Sequence, residues 1–173
     1  MARDLIIYGM NFEFSSIGEL KSGADIIPYL DNLELDDWER HGVVEIASLR
    51  SKDICLAIAQ VVADLHKNGF ISLGGAVVHR EFGENLMVLS KVQILDIVNW
   101  LILTSEALGE VTGNIENVLY KSNSDYQAAL QVVRRVCVGE EFEWFWLEKE
   151  LFEKWYVEIN ESAFRQYYWE DSY

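Results

Sequence analysis

Ser90 to Gly109 reads SKVQILDIVNWLILTSEALG, and this stretch decides how the chain folds. Ser90 stands where a helix N-cap belongs, with its hydroxyl free to accept a first-turn N–H. Apolar residues then fall at 92, 94, 95, 97, 98, 101, 102 and 103, which on a helix wraps most of the circumference. A helix apolar nearly all round is buried at the centre of a fold. A bilayer span is the competing reading, but the longest apolar run, Ile94 to Leu103, is interrupted by Asp96 and Asn99. It also falls short of the roughly 20 residues a crossing needs. The expectation is a central core helix over about 91–108, ended by Gly109.

Working outward, Val43 to Leu49 reads as a strand, and Ser51 caps a helix with Asp53 in its first turn. That helix places apolar residues at 54, 58, 61, 62 and 65 and closes on Lys67-Asn68-Gly69, a basic last turn with a glycine stop. Leu5 to Tyr8 is a first strand; Ser15 or Ser16 caps a short helix, and a further helical piece runs near 24–33 with Pro28 in its first turn. Phe70 to Leu73 and Ala76 to His79 are strand material broken by Gly74-Gly75. The polar stretch Arg80 to Asn85 turns the chain into Leu86 to Leu89, which makes a hairpin.

Downstream, Ser124-Asp125 opens a helix over Tyr126 to Val138, with Gly139 beyond it. Glu141 to Trp146 alternates like a strand at first, yet apolar residues at 142, 145, 146, 152, 155, 156 and 159 follow a helical period. Lys149 with Glu153 and Glu150 with Lys154 add i,i+4 pairs, so a helix is expected from about Phe142. Asn160 caps a last short helix carrying Phe164, Tyr167, Tyr168 and Trp169. Three to four strands and four or more helices, not in strict β-α-β alternation, give an α+β class around a central apolar helix. One proline, no Gly/Ser tract and no repeat leave a single domain over 1–173, ending in an aromatic-rich acidic segment, 140–173.

With 173 residues and half of them hydrophobic, the chain buries a real core despite its charge. That charge is 29 acidic against 14 basic residues, net -15, and it is uneven. Residues 1–50 carry -6, residues 51–139 carry -2 and residues 140–173 carry -7. Such a field disfavours direct nucleic-acid binding and anionic membrane surfaces, and it attracts basic proteins. Plain solubility is the competing explanation of the same charge. Cys55 and Cys137 lie within apolar helical patterns, too far apart in sequence for a metal knuckle, and read as buried free thiols. With no signal peptide ahead of the first strand, the expected location is cytoplasmic.

The chemistry-bearing motifs are missing. There is no GxxxxGK[ST], no GxGxxG after a strand and no GxSxG. His41, His66 and His79 have neither metal-site spacing nor a CxxC to join them. His66 in a last helical turn suits the helix dipole, and His79 at a strand end suits an exposed turn. Asp31, Glu34, Asp36, Asp37 and Glu39 make the densest acidic run, but Leu33, Leu35 and the lack of a sixth-position glycine exclude a calcium loop. No catalytic residue, cofactor or metal ligand is therefore assigned.

What remains is the last 34 residues, which hold 12 of the 22 aromatics and that -7 charge. Trp144, Phe145 and Trp146 are consecutive, so no single face buries all three. Aromatic area ringed by charge is the composition of an interface hot spot, although burial in the core or a dimer would use the same residues. The expected function is an acidic protein-binding inhibitor or immunity-type factor that masks a basic active site or nucleic-acid-binding surface of a partner protein. Asp36, Asp37, Glu141 and Glu143 would steer and pair with its cations, and Trp144 and Trp146 would anchor. Two alternatives stand beside it. One is an assembly subunit forming a homo-oligomer through the aromatic segment; the other is an enzyme without a linear motif, using a carboxylate or His79.

Overall fold

The computed structural model describes residues 2–11, 42–73, 77–79 and 85–172. The helical pieces expected near residues 15 and 24–33, the acidic run with Asp36 and Asp37, His41, the glycine pair and the turn before Asn85 lie outside the described residues. The described strands are β1 (Asp4–Met10), β2 (Val43–Arg50), β3 (Val77–His79), β4 (Asn85–Leu89) and β5 (Gln166–Ser172). They form one sheet in the order β2-β1-β5-β4-β3, and every neighbouring pair is antiparallel. Among the described residues four α-helices accompany it: α1 (Lys52–Lys67), α2 (Lys91–Val111), α3 (Ser124–Val136) and α4 (Lys149–Glu161). The class is the α+β single domain expected, built around the buried helix α2.

Local chemistry sets the helix ends. Ser51 accepts from the Ile54 N–H at 3.3 Å, and Gly69 just past α1 has φ 78°, a left-handed stop that favours glycine. At α2, Ser90 accepts from Gln93 N–H at 3.2 Å while the Gln93 side chain accepts from Ser90 N–H at 2.8 Å, a reciprocal capping box. Gly109 does not end this helix. It continues to Val111, and the left-handed glycine is Gly113 at φ 77°. Gly109 instead leaves room for the Ile115 side chain, which sits where a Cβ would stand. At 21 residues α2 is long and apolar enough to cross a membrane, but 72% of its most apolar window is buried inside the protein. It packs along α3 and α4 as the core helix.

Leu5, Ile7, Ala47, Met87, Leu89, Tyr167 and Trp169 belong to the same buried cluster as the helices. The alternate positions Tyr8, Met10, Leu86, Val88 and Tyr168 are buried too, so the middle of the sheet is covered on both faces. Tyr8 stacks on Tyr168 across the β1–β5 pair, with ring centroids 5.8 Å apart. Burial and the nearby Glu170, Glu45 and Asp4 push the Tyr8 phenol well above its ordinary value.

Two expectations about the C-terminal region need correction. The segment read as a last helix with Tyr167, Tyr168 and Trp169 is strand β5, inserted between β1 and β4. Three consecutive large aromatics suit a strand buried on both faces, which carries no alternation to betray it. The helix expected from Phe142 begins only at Lys149, preceded by two 3-10 turns, Glu140–Phe142 and Phe145–Glu148.

Candidate functional site: the Trp144–Leu147 turn

The two 3-10 turns explain how the aromatic run is divided. A 3-10 helix has three residues per turn, so side chains three apart eclipse. Phe142 closes the first turn and Phe145 opens the second; both are buried, and their ring centroids lie 5.7 Å apart in an edge-on contact. Phe145 continues to Phe152 at 5.5 Å, and Phe152 to Trp155 at 5.4 Å, an aromatic ladder into the core beneath α4. Trp144 and Leu147 form the other pair, linked by the Leu147 N–H to the Trp144 carbonyl at 3.1 Å. They stay outside: Trp144 is 59% exposed and Leu147 52%.

The structure therefore separates the two tryptophans expected to act together. Trp144 stands out from the surface, whereas Trp146 is half-buried and packs against the core. Their acidic companions differ as well. Glu143 is exposed, together with Glu140 and Glu150. Glu141 is half-buried and accepts from the Gln60 side chain of α1 at 2.8 Å, which fastens the first 3-10 turn to that helix. Asp36 and Asp37 lie outside the described residues. Val138, 83% exposed just before the turns, and Leu147 are further exposed apolar side chains of this segment that composition did not single out. The three-residue repeat Phe142/Phe145 against Trp144/Leu147 was the signal that could have found Leu147.

The thiols are set against nucleophilic work. Cys55 is buried, donates weakly to the Arg3 and Leu49 carbonyls, and is pushed by burial to about 11. Cys137 follows α3, and burial, with smaller contributions from Asp64 and Glu141, pushes it up to about 12. Burial likewise raises Glu148 beside the turn, and Asp96 on α2 is raised by burial and then by Asp125. Among the described residues no three His, Cys, Asp or Glu side chains cluster as a metal site would require.

A second feature involves α2, α4 and the connection before α3. Glu106, buried in α2, accepts from the Leu119 N–H at 3.1 Å and lies 3.8 Å from Lys149 at the start of α4. Lys149 in turn lies 3.7 Å from Glu153. Glu110 receives the Tyr126 hydroxyl and pairs with Lys121 at 3.1 Å. These contacts pin the connection over the α2–α4 seam. Beside it opens a cleft of about 320 Å³ lined by Asn99, Ile102, Tyr120, Glu153, Tyr156 and Val157.

No protein-family model matches the chain, and no curated protein or solved structure matches it.

Proposed function

We propose that the chain is an acidic protein-binding inhibitor or immunity-type factor, which sets Trp144 and Leu147 against a basic active site or nucleic-acid-binding surface of a partner protein. The observation that supports this reading is the divided turn. One side, Phe142 and Phe145, is locked into the core, and the other presents a large aromatic and a leucine to solvent among exposed Glu140, Glu143 and Glu150. An anchor held rigid before binding loses little entropy on docking, and a tryptophan buried at the centre of an interface is a frequent hot spot. The net charge of -15 steers a cationic partner towards it.

Affinity capture from a lysate of the host, with the tagged chain as bait at low and at high salt, tests the reading. Retention of one basic protein at low salt, weaker at high salt and lost with Trp144→Ala, supports it. Retention that ignores Trp144→Ala counts against it, as does Trp144-dependent self-association seen by light scattering in place of a partner.

A further inference from the structure

We propose that the α2–α4 cleft binds an arginine side chain of a partner protein, independently of the Trp144 face. At about 320 Å³ the cleft lies at the small end of ligand sites and suits one long side chain. Its lining matches a guanidinium. Tyr120 and Tyr156 supply aromatic rings, Ile102 and Val157 supply apolar wall for the stem, and Glu153 supplies a half-exposed carboxylate. Arginine stacks on aromatic faces and offers a fork of donors that a carboxylate accepts, which a lysine does not match.

Charge at one end of the cleft points the same way. Asn99, Ile102 and Glu106 recur at i, i+3 and i+7 on α2, so Glu106 lies buried one turn beyond Ile102, behind the residues that line the cleft. Its Oε1 takes the Leu119 N–H and faces Lys149, while its buried Oε2 has no hydrogen-bond partner among the described residues. Lys149 is the cation facing Glu106 and Glu153, at 3.8 and 3.7 Å, so two carboxylates against one ammonium leave a net charge of -1. Tyr120 is held in place by its neighbour Leu119 on Glu106 and by its own carbonyl, which accepts from Asn123 N–H at 2.8 Å.

Titration of the full chain with Nα-acetyl-arginine amide, followed by two-dimensional NMR, tests the assignment. Saturable shifts in the Tyr120 and Tyr156 ring signals are expected, with the lysine amide and the neutral citrulline amide binding more weakly. Glu153→Gln, a change at an exposed position, should weaken binding about fivefold, as for a partly exposed ion pair. Tyr120→Ala should weaken it comparably, and Trp144→Ala should leave it unchanged. Free arginine should bind less well than the capped amide, because its carboxylate brings the wrong charge. The proposal is overturned by an absence of saturable shifts, by equal binding of the lysine or citrulline amide, by tighter binding of free arginine, or by indifference to both cleft variants. Loss of binding in Trp144→Ala would also overturn it, by making Trp144 part of the arginine site.

Discussion

Arg3 and Asp171 form a fully buried two-point ion pair, with Nε donating to Oδ1 at 2.7 Å and Nη2 to Oδ2 at 2.8 Å. The pair joins the chain just before β1 to the end of β5, 168 residues apart. The Arg3 carbonyl meanwhile accepts the Ser51 N–H at 3.2 Å and the Cys55 thiol at 3.6 Å, so one residue ties the sheet to the start of α1. Removing one partner takes a two-point, charge-assisted contact out of the core. Asp171→Asn should lower the unfolding free energy by about 3–5 kcal/mol. The double change Arg3→Met with Asp171→Leu should recover part of that loss. Urea denaturation of the three proteins checks both statements, and equal loss in the single and double variants would show that the charge is not the cause.

Gly9 lies in β1 where the Phe164 ring occupies the space a Cβ would take. Gly9→Ala therefore forces the ring or the strand to move, a cost of about 1–3 kcal/mol for overpacking. Phe164→Leu in the same chain should return part of it. Thermal unfolding midpoints of the two variants are the readout, and an unchanged midpoint for Gly9→Ala would contradict the packing described.

The two thiols give a pH dependence of known sign. Each has its folded-state value raised from an ordinary 9.0, to about 11 for Cys55 and about 12 for Cys137. The unfolded chain then releases its thiol protons first, so this contribution to stability is whole below pH 9.0 and is lost as pH rises towards 11 and 12. Denaturation at neutral and at alkaline pH should show a fall that Cys55→Ala with Cys137→Ala flattens. At pH 8 the buried Cys55 thiol should react with Ellman's reagent far more slowly in the folded protein than in urea, with half-buried Cys137 protected less. Rapid native labelling of Cys55 would contradict the burial.

The tryptophans and phenylalanines of the C-terminal region should split sharply by role. Phe145→Ala removes a fully buried ring from the aromatic ladder and should cost about 3–5 kcal/mol. Trp144→Ala touches an exposed side chain and should shift stability by less than about 0.5 kcal/mol. A large destabilisation by Trp144→Ala would make that residue part of the core and remove it as an anchor.

How far the sequence disclosed this differs from element to element. The core helix was legible because thirteen residues of α2 are buried, a pattern that leaves few polar positions. Ser51 and Ser90 showed as caps because capping is local chemistry, settled within three residues. Strand β5 was not legible, since Tyr167, Tyr168 and Trp169 are all buried and neither period shows in such a run. In the candidate site, Trp144 and Glu143 were named from composition and both stand at the surface. Trp146 rests on the same grounds and is half-buried against the core, because the break between two short 3-10 turns, invisible to composition, decides which rings turn inwards. The α2–α4 cleft joins residues 99 to 157 through tertiary packing, which no linear motif records.

The rate at which the chain associates with its captured basic partner, followed by tryptophan fluorescence across a salt series, tests the proposed binding face most directly. The wild-type rate should fall by about tenfold or more from low to high salt, as for a steered encounter. In Trp144→Ala the salt dependence should persist while the complex dissociates much faster, because steering and anchoring reside in different residues. Association indifferent to salt, with a complex equally long-lived without Trp144, would contradict an acidic, tryptophan-anchored binding face.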